Sequence, residues 1–314
     1  MAITAYADVL TDQRVAEVLS TEYLLLAADR AALPNHPALL NGGDFTGMGA
    51  LSRKIPLIGL MGYDLPAQVA EGASIVPQAV ADQQISLSVA RYGKGYAATD
   101  LVRYSDGLGI FNASKFAADA IVSQSAAMTN LIASLVGGFT RTAGASGVDL
   151  SIANILSAIT ELELGSQASI SPTGGQVMGV LHTQQAADFR SAWATSTSGG
   201  IQWLVREADL AIRGNGYMGN MFGVDWFISG RVPTANAGAD RAGGIFMRGG
   251  IVWGDAQVAP DGADEIAIGN KVLFGKVRDT LAATTTYASQ FYIGATRGYD
   301  TAPHQFGVAI VTDA

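Results

Sequence analysis

The sequence predicts an α+β protein with one long helix and many short strands. A stretch from Asn112 to Phe139 holds about 25 residues without glycine or proline and is rich in alanine, the residue with the highest helix propensity. Between Gln84 and Tyr92, apolar and polar residues alternate with the period of two that marks a strand with one covered face. Further strand-like runs follow residue 213. These observations favour helices and strands in separate parts of the chain.

The composition indicates a subunit whose surface is largely buried against other protein chains. Charged residues make up 15% of the 314 residues, against about 25% in ordinary soluble proteins. There are 38 glycines and 51 alanines, and the mean hydropathy is +0.25. Such a chain has few charges for a lone monomer, so we infer that much of its surface lies against copies of itself or a partner. The alternative is a small-residue core under a merely polar surface.

The charge pattern and the absence of cysteine exclude several classes of function. The net charge is −8 with a pI near 4.8, and the basic residues are scattered, so no patch for gripping nucleic acid is predicted. Without cysteine, neither a disulfide framework nor a thiolate site is possible. The N-terminus has no basic start or long apolar core, so no signal peptide is predicted. The longest apolar run, near residues 131–139, is too short to span a bilayer.

The first 54 residues are predicted to form an arm of mostly irregular structure. Apolar residues between Val15 and Leu25 recur at helical spacing, with Thr11 as a candidate cap. A proline-flanked segment around His36 and a glycine-rich run, 42–49, follow. Since no second ligand lies near His36 in the sequence, we interpret it as a loop histidine.

Residues 55–104 are predicted to form one long hairpin. Its arms are Ile55–Tyr63 and Gln84–Tyr92. The connection between them, 64–83, is about 20 residues long, whereas ordinary hairpin loops take about 2–5. Tyr92-Gly-Lys-Gly-Tyr96 is interpreted as a flexible turn after the second arm.

The long helix is predicted to be covered on more than one side. Asn112 is a candidate N-cap, and Gly137-Gly138 form the stop because glycine tolerates a positive φ. The helix would be a rod of roughly 37 Å. The apolar side chains of this helix fall in two groups. One face carries Phe116, Ala120, Met128, Leu131 and Leu135, and Gln124 interrupts it. A second apolar line is formed by Ile121 and Ile132.

After a predicted linker at 141–148, the middle of the chain favours a compact α/β subdomain. Ser151 is expected to cap an amphipathic helix whose apolar positions are Ile152, Ile155, Leu156, Ile159 and Leu162. A buried strand is predicted at 176–182. Thr183 is expected to cap the next helix, which continues through Phe189 and Trp193.

The remaining chain is predicted to be mostly strands. Residues 224–232 form one, and 244–248 together with 251–253 form another, with a turn-rich loop at 233–243 between them. Three more are expected at 271–278, 287–297 and 305–312. We expect these late strands to return to the sheet beside the long helix.

No catalytic, cofactor or metal site is predicted. Gly214-Asn-Gly216-Tyr-Met-Gly219 matches GxGxxG, but the dinucleotide fingerprint needs a helix after it, and the next element is predicted to be a strand, so we interpret it as a tight turn. His182 and His304 have no partners at zinc spacing. Glu161 and Glu163 are two apart and point to different faces of a helix. Asp261, Asp264 and Glu265 do not match a calcium loop and are interpreted as an acidic surface turn.

Several runs together resemble the major capsid proteins of tailed bacteriophages. The resemblance begins with the long hairpin, its Glu71-Gly72 tip and Pro77-Gln78. It continues with the second arm ending Ala-Arg91-Tyr92-Gly93-Lys94-Gly95-Tyr96, then Thr99-Asp100 and the long helix. The strand ending Val180-Leu-His182 and the run from Gly216 to Pro233 are also similar to that family. The likeness extends from about residue 55 to 255.

The resemblance implies a capsid fold with four parts. These would be an N-terminal arm, 1–54; an extended hairpin loop, 55–105; a peripheral domain, 106–149 and 256–314, with a spine helix at 112–138; and an axial domain, 150–255. The family's function would make the chain a structural, non-enzymatic subunit of an icosahedral virus capsid. It would assemble in the host cytoplasm into hexamers and pentamers and enclose double-stranded DNA in the virion. Scaffold, portal and decoration proteins are its possible partners.

Two other classes of protein stay open from the sequence. An encapsulin-like compartment shell shares the fold, and the contents of the particle would distinguish it. A β-rich surface protein, such as a glycan-binding module or hydrolase, is disfavoured because no signal peptide and no plausible carboxylate pair are present.

The hairpin connection is the predicted assembly contact. It carries too many apolar groups to be left in water, and a two-stranded hairpin alone is at best marginally stable. We therefore expect its tip to lie on a neighbouring subunit, through Leu65, Val69, Glu71, Ile75, Val76 and Pro77.

Overall fold

The computed structural model describes residues 36–45, 52–56, 84–101, 113–166, 176–195, 216–258, 260, 265–268, 271–301 and 304–313. The helices in this part of the chain are α1 (Ala113–Val136), α2 (Ile152–Ser166) and α3 (Thr183–Thr195). The strands lie in two sheets and two short ribbons. The expected N-terminal helix, the hairpin connection, the Asn112 cap, Gly214, and Asp261 with Asp264 lie outside the described residues.

The first sheet is built around one long strand. Its members are β1 (Leu40–Asp44), β4 (Ala90–Thr99), β11 (Ile251–Ala256), β12 (Glu265–Ile268), β13 (Val272–Asp279) and β14 (Thr284–Arg297). Strand β14 pairs with β4 along one edge and with β13 and then β11 along the other. Strand β1 adds to β11 in parallel, and β12 adds to β13. The predicted C-terminal strands at 271–278 and 287–297 are therefore confirmed.

The second sheet contains the mid-chain strands and the end of the chain. Its members are β5 (Arg141–Ala143), β6 (Val177–Leu181), β7 (Tyr217–Met221), β8 (Val224–Ile228), β9 (Thr234–Ala235), β10 (Asp240–Phe246) and β17 (Gly307–Asp313). Strand β10 pairs with β17 on one side and β6 on the other. Helices α2 and α3 pack on this sheet through Ile155, Leu162 and Phe189. The α/β subdomain is thus present, with the third C-terminal strand as one of its members.

Two ribbons complete the described strands. Strand β2 (Ser52–Pro56) pairs antiparallel with β3 (Gln84–Ser88), so the predicted pairing of the two hairpin arms is confirmed at Ile55 and Pro56, and the rest of the first arm, 57–63, lies outside the described residues. The predicted alternation in the second arm is also confirmed, because Ile85, Leu87 and Val89 are buried while their polar neighbours are exposed. Strands β15 (Asp300–Thr301) and β16 (His304–Gln305) form the second ribbon.

Helix α1 joins the cores of both sheets. Its middle, at Ala120 and Ile121, packs with the first sheet, and its end, at Ile132 and Val136, packs with the second. The helix is therefore covered on more than one side, as predicted. The deeper line is that of Ile121 and Ile132, whereas Leu131 is only half-buried. None of the described helices is long and apolar enough to cross a membrane.

The stop of α1 at two glycines is confirmed, but the predicted reason is wrong. Neither Gly137 nor Gly138 has a positive φ. A Cβ at Gly137 would lie 2.5 Å from the carbonyl oxygen of Ala242, closer than real Cβ contacts. Glycine is needed there because the helix end touches the backbone of β10.

The predicted flexible turn at Tyr92–Tyr96 is wrong, because these residues lie in the middle of β4 and pair with β14. The side chains alternate across the strand. Tyr92 stacks on Phe291 and Tyr96 stacks on Phe116, on the side that faces α1, while the two glycines lie on the opposite face. Gly93 and Gly95 therefore form part of one face of strand β4.

Two other boundaries also differ from the predictions. The predicted linker at 141–148 begins with strand β5, which pairs in parallel with β17. The single strand predicted across 244–253 is two strands, β10 and β11, which belong to different sheets. The chain changes sheet at Gly249, whose φ of +96° favours glycine. Local periodicity could not reveal either point, since both depend on distant partners.

The helix caps are partly confirmed. The Ser151 hydroxyl accepts a hydrogen bond from the Asn154 backbone N–H at 3.3 Å, as predicted for the cap of α2. Leu156, predicted to be apolar and covered, is exposed. Helix α3 is capped by His182, not by the predicted Thr183.

The His182 cap is a reciprocal one. The His182 Nδ1 atom accepts from the Gln184 N–H at 3.1 Å, and the Gln185 side chain accepts from the His182 N–H at 3.1 Å. This resembles a capping box with histidine in the place of serine or threonine, except that the ring accepts from the second helical N–H and not from the third. It accounts for His182 without a metal.

Candidate assembly surfaces

The base of the predicted hairpin is anchored to the first sheet by one face only. Ile85 and Leu87 are buried against Phe45 and Val252. The opposite face of the ribbon is exposed and polar, with Ser52, Lys54 and Ser86 among its side chains. The predicted contacts beyond this base, Leu65, Val69, Glu71, Ile75, Val76 and Pro77, lie outside the described residues.

One face of the first sheet packs against α1, and the other is open over the paired parts of three strands. On the packed face, Tyr287 and Phe291 are buried beneath the helix. Because directly paired residues share a face, the pairing identifies the open side. Its residues are half-buried or exposed apart from the buried Leu273: Arg91, Gly93, Gly95, Ala97 and Thr99 of β4, Thr284, Thr286, Ala288, Gln290 and Tyr292 of β14, and Leu273, Gly275, Val277 and Asp279 of β13.

This open face carries mostly small side chains and few charges. More than half of its side chains are glycine, alanine or threonine, and its charged members are Arg91 and Asp279. That carboxylate accepts hydrogen bonds from the backbone N–H groups of Leu281 and Ala282, at 2.9 and 3.1 Å. These hydrogen bonds to the Asp279 carboxylate stabilise the turn that joins β13 to β14. A sheet face with small side chains and few charges is suited to contact with another protein surface.

Large apolar side chains are exposed at one end of the same sheet. Leu281 in the β13–β14 turn is 98% exposed, Leu101 after β4 is 79% exposed, and Val277 is 69% exposed. The turn is held to the end of β4 by the Asp100 N–H, which donates to the Ala283 carbonyl at 2.8 Å, and by an Arg278–Asp100 ion pair at 2.8 Å. We call Leu101, Val277 and Leu281 the apolar end.

Two charged side chains beside this sheet, Lys94 and Asp119, pair with each other. Lys94 contacts Asp119 of α1 at 2.6 Å, and the Tyr96 hydroxyl also donates to Asp119. Hydrogen bonds to Asp119 and Tyr96 hold the pKa of Lys94 above its usual value. Burial alone would raise the pKa of Asp119, but the hydrogen bonds from Lys94 and Tyr96 outweigh it and lower that pKa. The cluster fastens β4 to α1.

The structural environment of His36 differs most from the prediction of a loop histidine. His36 does lie in a turn, but it is buried, and its Nε2 contacts the carboxylate of Asp225 on β8 at 3.0 Å. Its Nδ1 accepts from the Ala38 N–H at 3.2 Å, so the ring proton is on Nε2, which donates to Asp225. Tyr217 and Asn220 also contact that carboxylate. No local signal in the sequence pairs residues so far apart.

The remaining candidate residues form no chemical site in the described part of the chain. Gly216 has a φ of +95° and leads directly into strand β7, as expected for a turn and not for a dinucleotide fingerprint. Burial, and then the positive charge of Arg241, lower the pKa of His182. Glu161 pairs with Arg141 at 2.6 Å, whereas Glu163 points into solvent. Among the described residues, no three ligating side chains are arranged to hold a metal ion.

Comparison with known structures identifies the fold. A Cyanophage Pam1 capsid structure is similar over 91% of this chain and 93% of its own, with 13% identity and a TM-score of 0.57. The capsid of Ralstonia phage GP4 is similar over 92% and 88%, with 12% identity and a TM-score of 0.56. A structure from Mycobacterium phage Che8 is similar over 82% and 84%, with 16% identity and a TM-score of 0.53.

The chain therefore has the fold of the major capsid proteins of tailed phages. At these identities, the likeness shows the fold alone. The sequence matches no family model, and no curated protein matches it.

Proposed function

We propose that the chain is the structural subunit of an icosahedral virus capsid. It assembles into hexamers and pentamers, and the shell encloses double-stranded DNA. The observation that carries this proposal is the agreement in fold with phage capsid structures over most of both chains. The low fraction of charged residues, 15%, supports it, because a shell subunit buries much of its surface on its neighbours.

The capsid fold also suggests a role for each part of the chain. Residues 1–54 would be the N-terminal arm and 55–105 the extended loop. Residues 106–149 and 256–314 would form the peripheral domain around α1, and 150–255 the axial domain. The position of α1 supports a peripheral domain built around it, since the helix packs on the first sheet through Ala120 and Ile121. Two strands lie across the division, because β17 (Gly307–Asp313) belongs to the sheet of β6 and β10, and β11 (Ile251–Ala256) belongs to the first sheet.

Three surfaces of the subunit are proposed to meet its neighbours. They are the hairpin connection with its six predicted contacts, the open face of the first sheet, and the apolar end. The apolar end is the most specific of them. Burying a leucine such as Leu281 contributes about 2 kcal/mol, and this gain is unused in the isolated chain because the side chain is 98% exposed.

The other partners follow from the same role. Scaffold, portal and decoration proteins would bind the assembled shell, and assembly would take place in the host cytoplasm before the subunit becomes part of the virion. The DNA would be enclosed without sequence-specific contacts. The net charge of −8 supports this, because an acidic shell does not hold DNA tightly. No catalytic role is proposed.

Electron microscopy and sedimentation of the purified full chain test the proposal. Closed shells of uniform size, or rings of five and six subunits, are the expected result. A monomer that persists at high protein concentration would contradict it.

The substitution Leu281→Asp tests the apolar end. The side chain is exposed and the turn is held by backbone bonds to Asp279, so we expect the melting temperature of the isolated subunit to change little. Shell formation, followed by sedimentation velocity, should be lost because a charge would be buried at the contact. Leu281→Met is the matched control and should still assemble. Normal shells from the Asp variant would remove Leu281 from the contact.

A further inference from the structure

Strand β1 contains an exposed asparagine at a break in its pairing. Asn41 is exposed, and Gly42 and Gly43 come directly after it. The strand pairs with β11 at Asn41 and again at Asp44, but the register shifts between these two residues. The two glycines therefore lie where the ladder of backbone hydrogen bonds is locally disrupted.

The Asn41 side chain is folded back over the backbone that follows it. Its Oδ1 atom accepts a hydrogen bond from the Gly43 N–H at 2.8 Å, which closes an Asx turn. The ring that this hydrogen bond closes contains both the Asn41 Cγ atom and the Gly42 nitrogen. The turn therefore keeps the side-chain carbonyl group beside the next backbone nitrogen.

The same hydrogen bond supplies a donor at the oxygen that would become charged if Cγ were attacked. When a nucleophile adds to an amide carbon, negative charge develops on the carbonyl oxygen, and an N–H group about 2.7–3.1 Å away stabilises it. The Gly43 N–H is already in this position at the Asn41 Oδ1 atom. The turn thus resembles an oxyanion hole with one donor.

The nitrogen beside Cγ belongs to a residue that has to be glycine. A Cβ at Gly42 would lie 2.6 Å from a Leu87 side-chain atom and 2.7 Å from one of Ile55, so packing alone excludes any other residue. A consequence of this packing is that no side chain shields the Gly42 nitrogen from the neighbouring Asn41 side chain. An unhindered nucleophile and a polarised amide carbon are therefore adjacent in the folded chain.

We propose that Asn41 is a self-modifying residue, which converts to aspartate and isoaspartate in the folded chain. The Gly42 nitrogen gives its proton to hydroxide and attacks the Asn41 Cγ atom, and the new C–N bond closes a cyclic succinimide. The side-chain nitrogen takes a proton from water, which regenerates hydroxide, and leaves as ammonia. Water then opens the ring at one of its two carbonyl groups. The net reaction consumes one water molecule and needs no oxidant, metal ion or partner.

The conversion changes the charge and the path of the chain at one point of the first sheet. Aspartate adds a negative charge and still accepts from the Gly43 N–H, now in a charge-assisted hydrogen bond. Isoaspartate lengthens the main chain by one carbon at a bulge, where a strand already tolerates extra chain. We therefore expect the modified chain to stay folded. This modification is independent of the proposed capsid role.

Mass spectrometry of the full natural chain, incubated at about 37 °C and about pH 8, tests the proposal. The tryptic peptide 31–53 contains Asn35 and Asn41, and fragmentation assigns a gain of about 1 Da to one of them. The conversion rate of Asn41 in the folded chain should be within about tenfold of the rate in guanidinium-unfolded chain, or faster. A folded-state rate that is more than about tenfold slower would overturn the proposal, because the strand would then protect the asparagine.

Two variants at the same position provide the controls. Asn41→Gln lengthens the side chain by one carbon and disfavours ring closure, so the gain in mass at this peptide should be lost. If the peptide still gains mass at the same rate, the modified residue is not Asn41 and the proposal fails. Asn41→Asp reproduces one product and should melt cooperatively, close to the natural chain. Loss of the cooperative melt would show that the folded chain cannot carry the modification, which also contradicts the proposal.

Discussion

Two adjacent glycines at the end of α1 have different roles. Gly137 faces β10, where a Cβ would meet the Ala242 carbonyl oxygen at 2.5 Å and the Ala242 Cβ at 2.7 Å. At Gly138 the nearest atom, from Arg297, would be 3.4 Å away, which is an ordinary contact. The two residues look alike in the sequence, and only the neighbouring strand distinguishes them.

We therefore expect Gly137→Ala to destabilise the subunit and Gly138→Ala to be nearly neutral. The first change forces backbone to move, which costs about 1–3 kcal/mol as for overpacking in a core. The second adds a methyl group in a space that accepts it. Urea unfolding of the two variants measures the difference. Equal effects would show that the helix end is not in tight contact with β10.

The Asp119 cluster gives a dependence of stability on pH. The pKa of Asp119 is lowered from 3.8, so the folded state binds a proton less readily than the unfolded state. Its contribution to stability is therefore present above pH 3.8 and is lost as the pH falls through the lower, folded pKa. Because both charged side chains are partly exposed, the contribution is at most about 1 kcal/mol.

Asp119→Asn should lower the free energy of unfolding slightly at pH 7 and progressively less as the pH falls below about 4. Urea unfolding of the variant and the natural chain at several pH values gives the comparison. A cost that stays constant down to pH 2 would show that the side chain acts through packing and not through its charge.

At the scale of elements, α1 is the part on which both cores depend. Its buried line runs through Ala120 and Ile121 into the first core and through Ile132 and Ala133 into the second. Leu131 lies next to this line but is only half-buried. Substitutions at the adjacent residues Leu131 and Ile132 therefore compare a half-buried position with a fully buried one on the same helix.

Ile132→Asp should prevent folding to a soluble subunit, because it places a charge in the apolar cluster around Met178 and Phe246 and costs several kcal/mol. Leu131→Asp should be milder, since the half-buried side chain can turn the charge towards water. The soluble fraction and the melting temperature of both variants make the comparison. If Leu131→Asp is the more harmful, the assignment of the buried face is wrong.

At the scale of the whole molecule, the hairpin base and its connection are expected to have separate roles. The base, β2 with β3, contributes Ile55, Ile85 and Leu87 to a core shared with the first sheet. The connection carries the predicted contacts with a neighbouring subunit. Folding and assembly are therefore expected to be separable in this chain.

Replacing residues 66–82 with a short Gly-Ser turn should leave a subunit that melts cooperatively but forms no complete shells. The base strands are kept, so the core around Leu87 is intact. Thermal melting and sedimentation velocity of the deletion decide the matter. Normal shells would exclude the connection as an assembly contact, and loss of the cooperative melt would place it in the subunit core.

The sequence by itself determined the elements whose signal is local. The alanine-rich run of α1, the alternation in β3, the Ser151 cap of α2 and the C-terminal strands are each encoded within a few turns or one strand, where periodicity and capping act. The resemblance to capsid proteins predicted the overall fold, and the comparison with capsid structures agrees with that fold.

Only the tertiary structure decided the features that depend on distant partners. The glycines of Tyr92–Tyr96 belong to a strand because β14 pairs with them, and Gly137 is required because Ala242 lies against it. His36 is buried because it contacts Asp225, which lies 189 residues further along the chain. The local conformational preferences of a short segment are the same whether it becomes a turn or a strand. The contact with a distant residue that selects one of these structures forms only when the whole chain folds.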